Sequence, residues 1–104
     1  MTSQVDLRES ADATVIAISG ELDAAASAGL RDRLLSLIPG SSMIRLDLSG
    51  LTYISSAGLR TLLLVYRHAQ GEGSAVTLTG IRDEVRFVMS ATGFLSLFEI
   101  EDAP

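Results

Sequence analysis

The sequence predicts an α/β fold: a mixed, mostly parallel sheet of four to five strands with three to four helices, in the order ββαβαβαβ. Short β-branched and apolar runs alternate with stretches whose apolar residues recur every three to four positions, the pattern of strands alternating with crossover helices. Glycine-containing breaks separate these stretches. The first two strand-like runs stand too close together for a helix between them, so they pair as a hairpin, and right-handed crossovers link the rest. At 104 residues the chain reads as one domain, 1–104, with 101–104 as a disordered acidic tail.

In chain order, Val5 to Ser10 alternates weakly and is an edge-strand candidate, with a turn at Asp12. Thr14 to Ser19 (TVIAIS) is a stronger strand, closed by Gly20. Asp23 is placed to cap a helix over the alanines that follow, with Leu30, Leu34, Leu37 and Ile38 as its buried stripe and Pro39-Gly40 as its stop. Met43 to Leu48 forms the next strand, which Gly50 breaks, and Leu51 to Ile54 then cross the top of the sheet. Ser55-Ser56-Ala57-Gly58 opens a helix with Leu59, Leu62, Leu63 and Tyr66 on its apolar face. Serine suits that position because its hydroxyl accepts from an orphan N–H one turn in. Gly71-Glu72-Gly73 ends the helix. Ala75 to Thr79 is a strand, and a helix with Ile81, Val85, Val88 and Met89 on one side ends at Thr92-Gly93. Leu97 to Ile100 is the last strand candidate.

Composition narrows the function. The net charge is −5, and all eight basic residues are arginines. A scattered set of arginines on an acidic chain argues against nucleic-acid binding. The absence of lysine removes the P-loop and the Schiff-base nucleophile. There is no cysteine and a single histidine, His68, so neither a thiolate nor a His-rich metal site is expected. The opening residues, MTSQVDLRES, show no basic n-region and no apolar core. The longest apolar run is only Leu62 to Tyr66. A soluble, cytoplasmic protein with no membrane insertion is therefore expected.

In such sheets the working surface lies beyond the carboxyl ends of the strands. The loops at Gly20–Asp23 and Ser49–Ser56 leave those ends side by side and gather Glu21, Asp23, Tyr53, Ser55 and Ser56. A serine nucleophile fails on two counts. The G-x-S-x-G elbow lacks its first glycine at Ile54, and His68, twelve residues along the same helix, lies roughly 18 Å away. Glu21 and Asp23 read as a solvated charge and a cap rather than an acid–base pair, and Asp47 as a strand-end residue bonding nearby N–H groups. Gly71-Glu72-Gly73 precedes a strand, so it is no dinucleotide loop. No catalytic residue, metal site or cofactor is expected, and the chain is not read as an enzyme.

Three stretches, Gly20-Glu21-Leu22-Asp23, Leu46-Asp47-Leu48-Ser49-Gly50-Leu51 and Tyr53-Ile54-Ser55-Ser56-Ala57-Gly58-Leu59-Arg60-Thr61-Leu62-Leu63, together resemble the STAS domains of bacterial anti-sigma factor antagonists (anti-anti-sigma factors). The resemblance runs from about Val5 to Ile100 and implies a STAS-like fold. It also implies a partner switch: the domain binds an anti-sigma factor that is a serine-protein kinase, releases a sigma factor, and is inactivated when that kinase phosphorylates the helix-start serine. A phosphatase resets it. The family pattern Asp-Ser-(Ser or Ala)-Gly-Leu puts Ser56 on the acceptor and Ser55 on the usual aspartate, so Ser55 stays open as the alternative acceptor. Glu21, Asp23, Tyr53, Ser55, Ser56 and Arg60 are the implied partner-binding residues. Little follows Ile100, so the last helix of many relatives is not expected. A homodimer stays open. The alternative is a STAS interaction module without the phosphoswitch, a signalling scaffold or an accessory subunit of a lipid transporter.

Overall fold

A computed structural model of the chain describes residues 4–9, 14–37 and 43–101, with the backbone alone at 4–9 and at Leu37. Strand β1 (Gln4–Glu9) pairs antiparallel with β2 (Thr14–Leu22), as the short spacing between them requires. Helix α1 (Ala24–Leu37) crosses to β3 (Met43–Ile54), and α2 (Ser56–Gly71) crosses to β4 (Ala75–Thr79). Helix α3 (Asp83–Ala91) and a 3-10 turn at Leu95–Leu97 lead to β5 (Ile100–Glu101). The sheet order is β1-β2-β3-β4-β5, with β2 to β5 parallel. Every parallel step goes the same way across the sheet, so right-handed crossovers set all three helices against one face.

That face holds an aliphatic core. Ile16 and Ile18 of β2, Ile44, Leu46 and Leu48 of β3, and Val76 and Leu78 of β4 meet Leu30 and Leu34 of α1, Leu59, Leu62 and Val65 of α2, and Val85 and Met89 of α3. Each fully buried leucine or isoleucine contributes about 1.5–3 kcal/mol relative to exposure. Among the described residues no helix covers the opposite face, and there Val15, Ala17, Arg45, Asp47, Thr77 and Thr79 are half-buried. Tyr66 of α2 closes the lower edge: its ring meets Phe98 edge-on at 5.0 Å, and its hydroxyl accepts from the Glu99 N–H at 2.7 Å.

The structure corrects several sequence expectations. Strand β2 does not close at Gly20 but continues to Leu22, with Gly20 at φ 91°. Strand β3 does not break at Gly50 but runs unbroken to Ile54. Two register shifts against β2 explain both. Ala17 faces Asp47 but Ser19 faces Gly50, and Gly20 faces Leu51 but Glu21 faces Tyr53. Each shift gives β3 one extra residue, a β-bulge. The alternation is reset twice, so burial on β3 passes from every second residue (Ile44, Leu46, Leu48) to every third (Leu51, Ile54). A glycine that breaks a pattern in sequence is here part of a bulged strand.

On α2 the apolar face is Leu59, Leu62, Val65, Tyr66 and Ala69. Leu63, expected on it, is only half-buried, because its angular position is at the rim of that face, and Leu64 is 45% exposed. Ile81, expected on the third helix, lies before the start of α3, and it and Val88 pack at the margin of the core rather than inside it. The last strand comes later than Leu97–Ile100. Leu97 belongs to the 3-10 turn, and Glu101, placed by sequence in the acidic tail, pairs with Thr79 and holds Arg45 Nε at 2.8 Å. The expected turn at Asp12, the stop at Pro39-Gly40, Ile38 and residues 102–104 fall outside the described residues, as does the side chain of Leu37.

Candidate functional site

The bulged ends of β2 and β3 and the starts of α1 and α2 meet at one end of the sheet. Asp23 caps α1: its Oδ1 accepts from the Ala26 N–H at 2.9 Å, and its carbonyl accepts from the Ser27 hydroxyl at 2.7 Å. The residue is thus engaged in capping. Glu21, directly before Leu22, is exposed and lies opposite Tyr53 in the β2–β3 ladder. Tyr53 is 50% exposed despite its size. The neighbouring Thr52 hydroxyl donates to the Gly20 carbonyl at 3.2 Å and ties the second bulge across the two strands.

The two serines have different tasks. Ser55 is the N-cap of α2, in extended conformation. Its Oγ accepts from the Gly58 N–H at 3.1 Å and donates to the Leu22 carbonyl at 3.1 Å, while its own N–H donates to that same carbonyl at 2.9 Å. Gly58 packs so closely on this joint that a Cβ there would lie 2.7 Å from the Leu22 oxygen and 2.9 Å from Ile54 Cγ1. Ser56, the first residue of α2, is exposed, and its hydroxyl makes no hydrogen bond with the described residues. The first turn of α2 carries no acidic side chain, and a helix start favours negative charge.

Arg60 lies one turn further along α2 and is exposed. With Arg31 of α1 it rims a groove of about 420 Å³ between the two helices, lined by Ala24, Ala28, Ala57 and Leu64 among others. The groove, Arg31 and the tie made by Thr52 lie outside the residues that the sequence singles out. Ala24 and Ala28, spaced one turn apart with Arg31 following, were the legible signal for a shallow helix face. His68 is exposed in the last turn of α2, at the far end from Ser56. Asp47 Oδ1 accepts from the Ser49 N–H at 3.0 Å, the strand-end bond expected of it. Among the described residues no group of three His, Asp or Glu could hold a metal ion, and no helix is long and apolar enough to cross a membrane. The site offers an exposed hydroxyl, an exposed aromatic ring and charges of both signs on a rigid joint.

Comparison with known proteins bears on this arrangement. The family described as Mlab, STAS domain matches residues 5–99. A putative anti-sigma factor antagonist, BtrV, of Bordetella bronchiseptica is 39% identical over 64 residues, covering 62% of this chain and 55% of that protein. A STAS-domain containing protein of Pseudomonas aeruginosa is 33% identical over 85 residues, covering 82% of this chain and 84% of its own length. Among solved structures, an anti-sigma factor antagonist from Mycobacterium paratuberculosis superposes with a TM-score of 0.81 at 20% identity, covering 94% of this chain and 84% of that one. The Bacillus cell fate determinant SpoIIAA is similar in its phosphorylated form, with a TM-score of 0.69 at 21% identity over 97% of this chain and 92% of that one. These structural likenesses establish the fold.

Proposed function

We infer that this chain, which belongs to the STAS domain family, is an anti-sigma factor antagonist working as a phosphorylation-controlled partner switch. Relatives named as anti-sigma factor antagonists support the first part. The observation that carries the second is the division of labour between the serines: the Ser55 hydroxyl is engaged in capping α2, whereas that of Ser56 is exposed and makes no hydrogen bond with the described residues. Ser56 is the phosphoacceptor in this reading, and Ser55 holds the helix that presents it.

The unmodified surface of Glu21, Asp23, Tyr53, Ser56 and Arg60 docks onto an anti-sigma factor that is also a serine-protein kinase, and the sigma factor is freed in the cytoplasm. The kinase transfers the γ-phosphoryl of ATP to the Ser56 hydroxyl, releasing ADP and a proton. This adds about −1.5 to −2 charges. At a helix start the added charge is locally favourable by about 0.3–1 kcal/mol, so the fold persists. Enclosing the same dianion in an interface without matching cations costs several kcal/mol, and each 1.4 kcal/mol is about tenfold in affinity. The interface effect wins, and the complex separates until a phosphatase removes the group.

Incubation with ATP and a serine kinase of the anti-sigma factor type from the same genome, followed by mass spectrometry, places one phosphate on Ser56. Absence of modification together with absence of binding would sink the reading. The matching family is named for Mlab and not for an antagonist, which favours a second reading as an interaction module without a phosphoswitch. A stable complex with a transporter ATPase, unchanged by kinase and ATP, would establish that one instead.

A further inference from the structure

Ser56 and Arg60 are four residues apart on α2, a spacing that puts their Cβ atoms about 5–6 Å from each other on one helix face. Both are exposed, and with the described residues neither side chain forms a hydrogen bond or ion pair. No carboxylate in the first turn of α2 competes for the guanidinium. Arg31, the other cation at the groove, already faces Asp32 at 3.5 Å. At about 100° per residue, Arg60 falls between Ser56 on one side and the groove-lining Ala57, Thr61 and Leu64 on the other. The same side chain is therefore within reach of two places.

We propose that Arg60 is the internal receptor of a phosphate on Ser56, so that modification also draws a cation away from the rim of the α1–α2 groove. This rests on Ser56 being the phosphoacceptor. An anion four residues before a cation is the favourable order on a helix, in agreement with the helix dipole. The planar guanidinium fork matches phosphate oxygens in a charge-assisted pair. The phosphate then changes the surface twice. It brings negative charge to the start of α2, and it offsets the positive charge of Arg60 at the rim of the groove.

The test needs no kinase. Phosphoserine is installed at position 56 during translation by stop-codon suppression, and phosphorus NMR follows its second ionisation in the full chain. The native sequence is compared with R60Q, R60K and R31Q, with circular dichroism checking that each variant is folded. The phosphate of the native chain loses its second proton at a pH lower than that of R60Q by roughly 0.3–0.7 of a unit. R60K falls between them, because an ammonium keeps the charge and loses the fork. R31Q titrates like the native chain. Equal titration in the native and R60Q proteins overturns the proposal, and so does a shift abolished by R31Q instead. A kinase that never modifies Ser56 would remove the regulatory reading while leaving this titration interpretable, so the two ideas fail separately.

Discussion

The two halves of β3 belong to one unbroken strand and follow different rules. Met43 to Asp47 has β2 on one side and β4 on the other, and Ile44, Leu46 and Leu48 are fully buried. From Gly50 to Ile54, β2 is the one strand among the described residues that pairs with β3, and the bulges leave Thr52 and Tyr53 exposed. An unprotected edge of this kind invites pairing with other chains, and bulges are a usual way to blunt it. The contrast teaches that one strand can hold the core together at one end and present exposed side chains at the other, provided its register changes in between.

The hardest way to break that contrast is in the regular half. Leu46→Ala costs about 2–5 kcal/mol, a large share of the roughly 5–15 kcal/mol that holds a typical domain together. Urea unfolding reads it, and a loss under about 1 kcal/mol would show that the regular half is not the keystone. Next comes the joint between the bulged half and α2. Gly58→Ala drives a Cβ against the Leu22 carbonyl and costs about 1–3 kcal/mol, seen as a lowered Tm. An unchanged Tm would mean that the joint yields.

Smaller changes separate structure from recognition. Ser55→Ala removes a cap and loses about 0.5–2 kcal/mol, whereas Ser56→Ala changes stability by less than about 0.5 kcal/mol but abolishes phosphorylation. If the two variants were equally stable, the assignment of Ser55 as the structural serine would fall. Tyr53→Ala likewise stays within about 0.5 kcal/mol in stability while weakening the kinase complex about tenfold or more, in titration calorimetry.

The mildest effect lies away from β3. A hydrogen bond from its own backbone, followed by the nearby Arg82, lowers the carboxyl pKa of Glu84. A lowered folded-state value means that its contribution is complete above the ordinary carboxylate range and is lost as pH falls through the folded-state value. Glu84→Gln therefore narrows the stability difference from the native chain on acidification, and urea midpoints from pH 6 downward measure it.

Much of the regular half was legible in the sequence. The β-branched run from Thr14 and the alternation from Met43 to Leu48 carry their own period, and Asp23 and the Ser55-Ser56 pair announce helix starts. The bulged half was not legible, because Gly20 and Gly50 look like stops when read locally. Only pairing between strands shows that they absorb register shifts. Leu51 and Ile54, three apart, fit neither a plain strand nor a helix. Sequence brought Glu21, Asp23, Tyr53 and the serines to one end of the sheet, but it could not divide the serines, since that division depends on the carbonyl of Leu22, more than thirty residues away. Nor could it show the α1–α2 groove, which exists only once two helices lie side by side.

That carbonyl has a consequence for timing. It takes two hydrogen bonds from Ser55 and lies hard against Gly58, so the start of α2 is anchored to the end of β2. In the proposed switch, a phosphate on Ser56 would change the charge of that surface with the backbone of α2 left in place. A switch of the proposed kind would take its tempo from the enzymes that write and erase the mark. Each erasure would then restore the same surface, with nothing to refold.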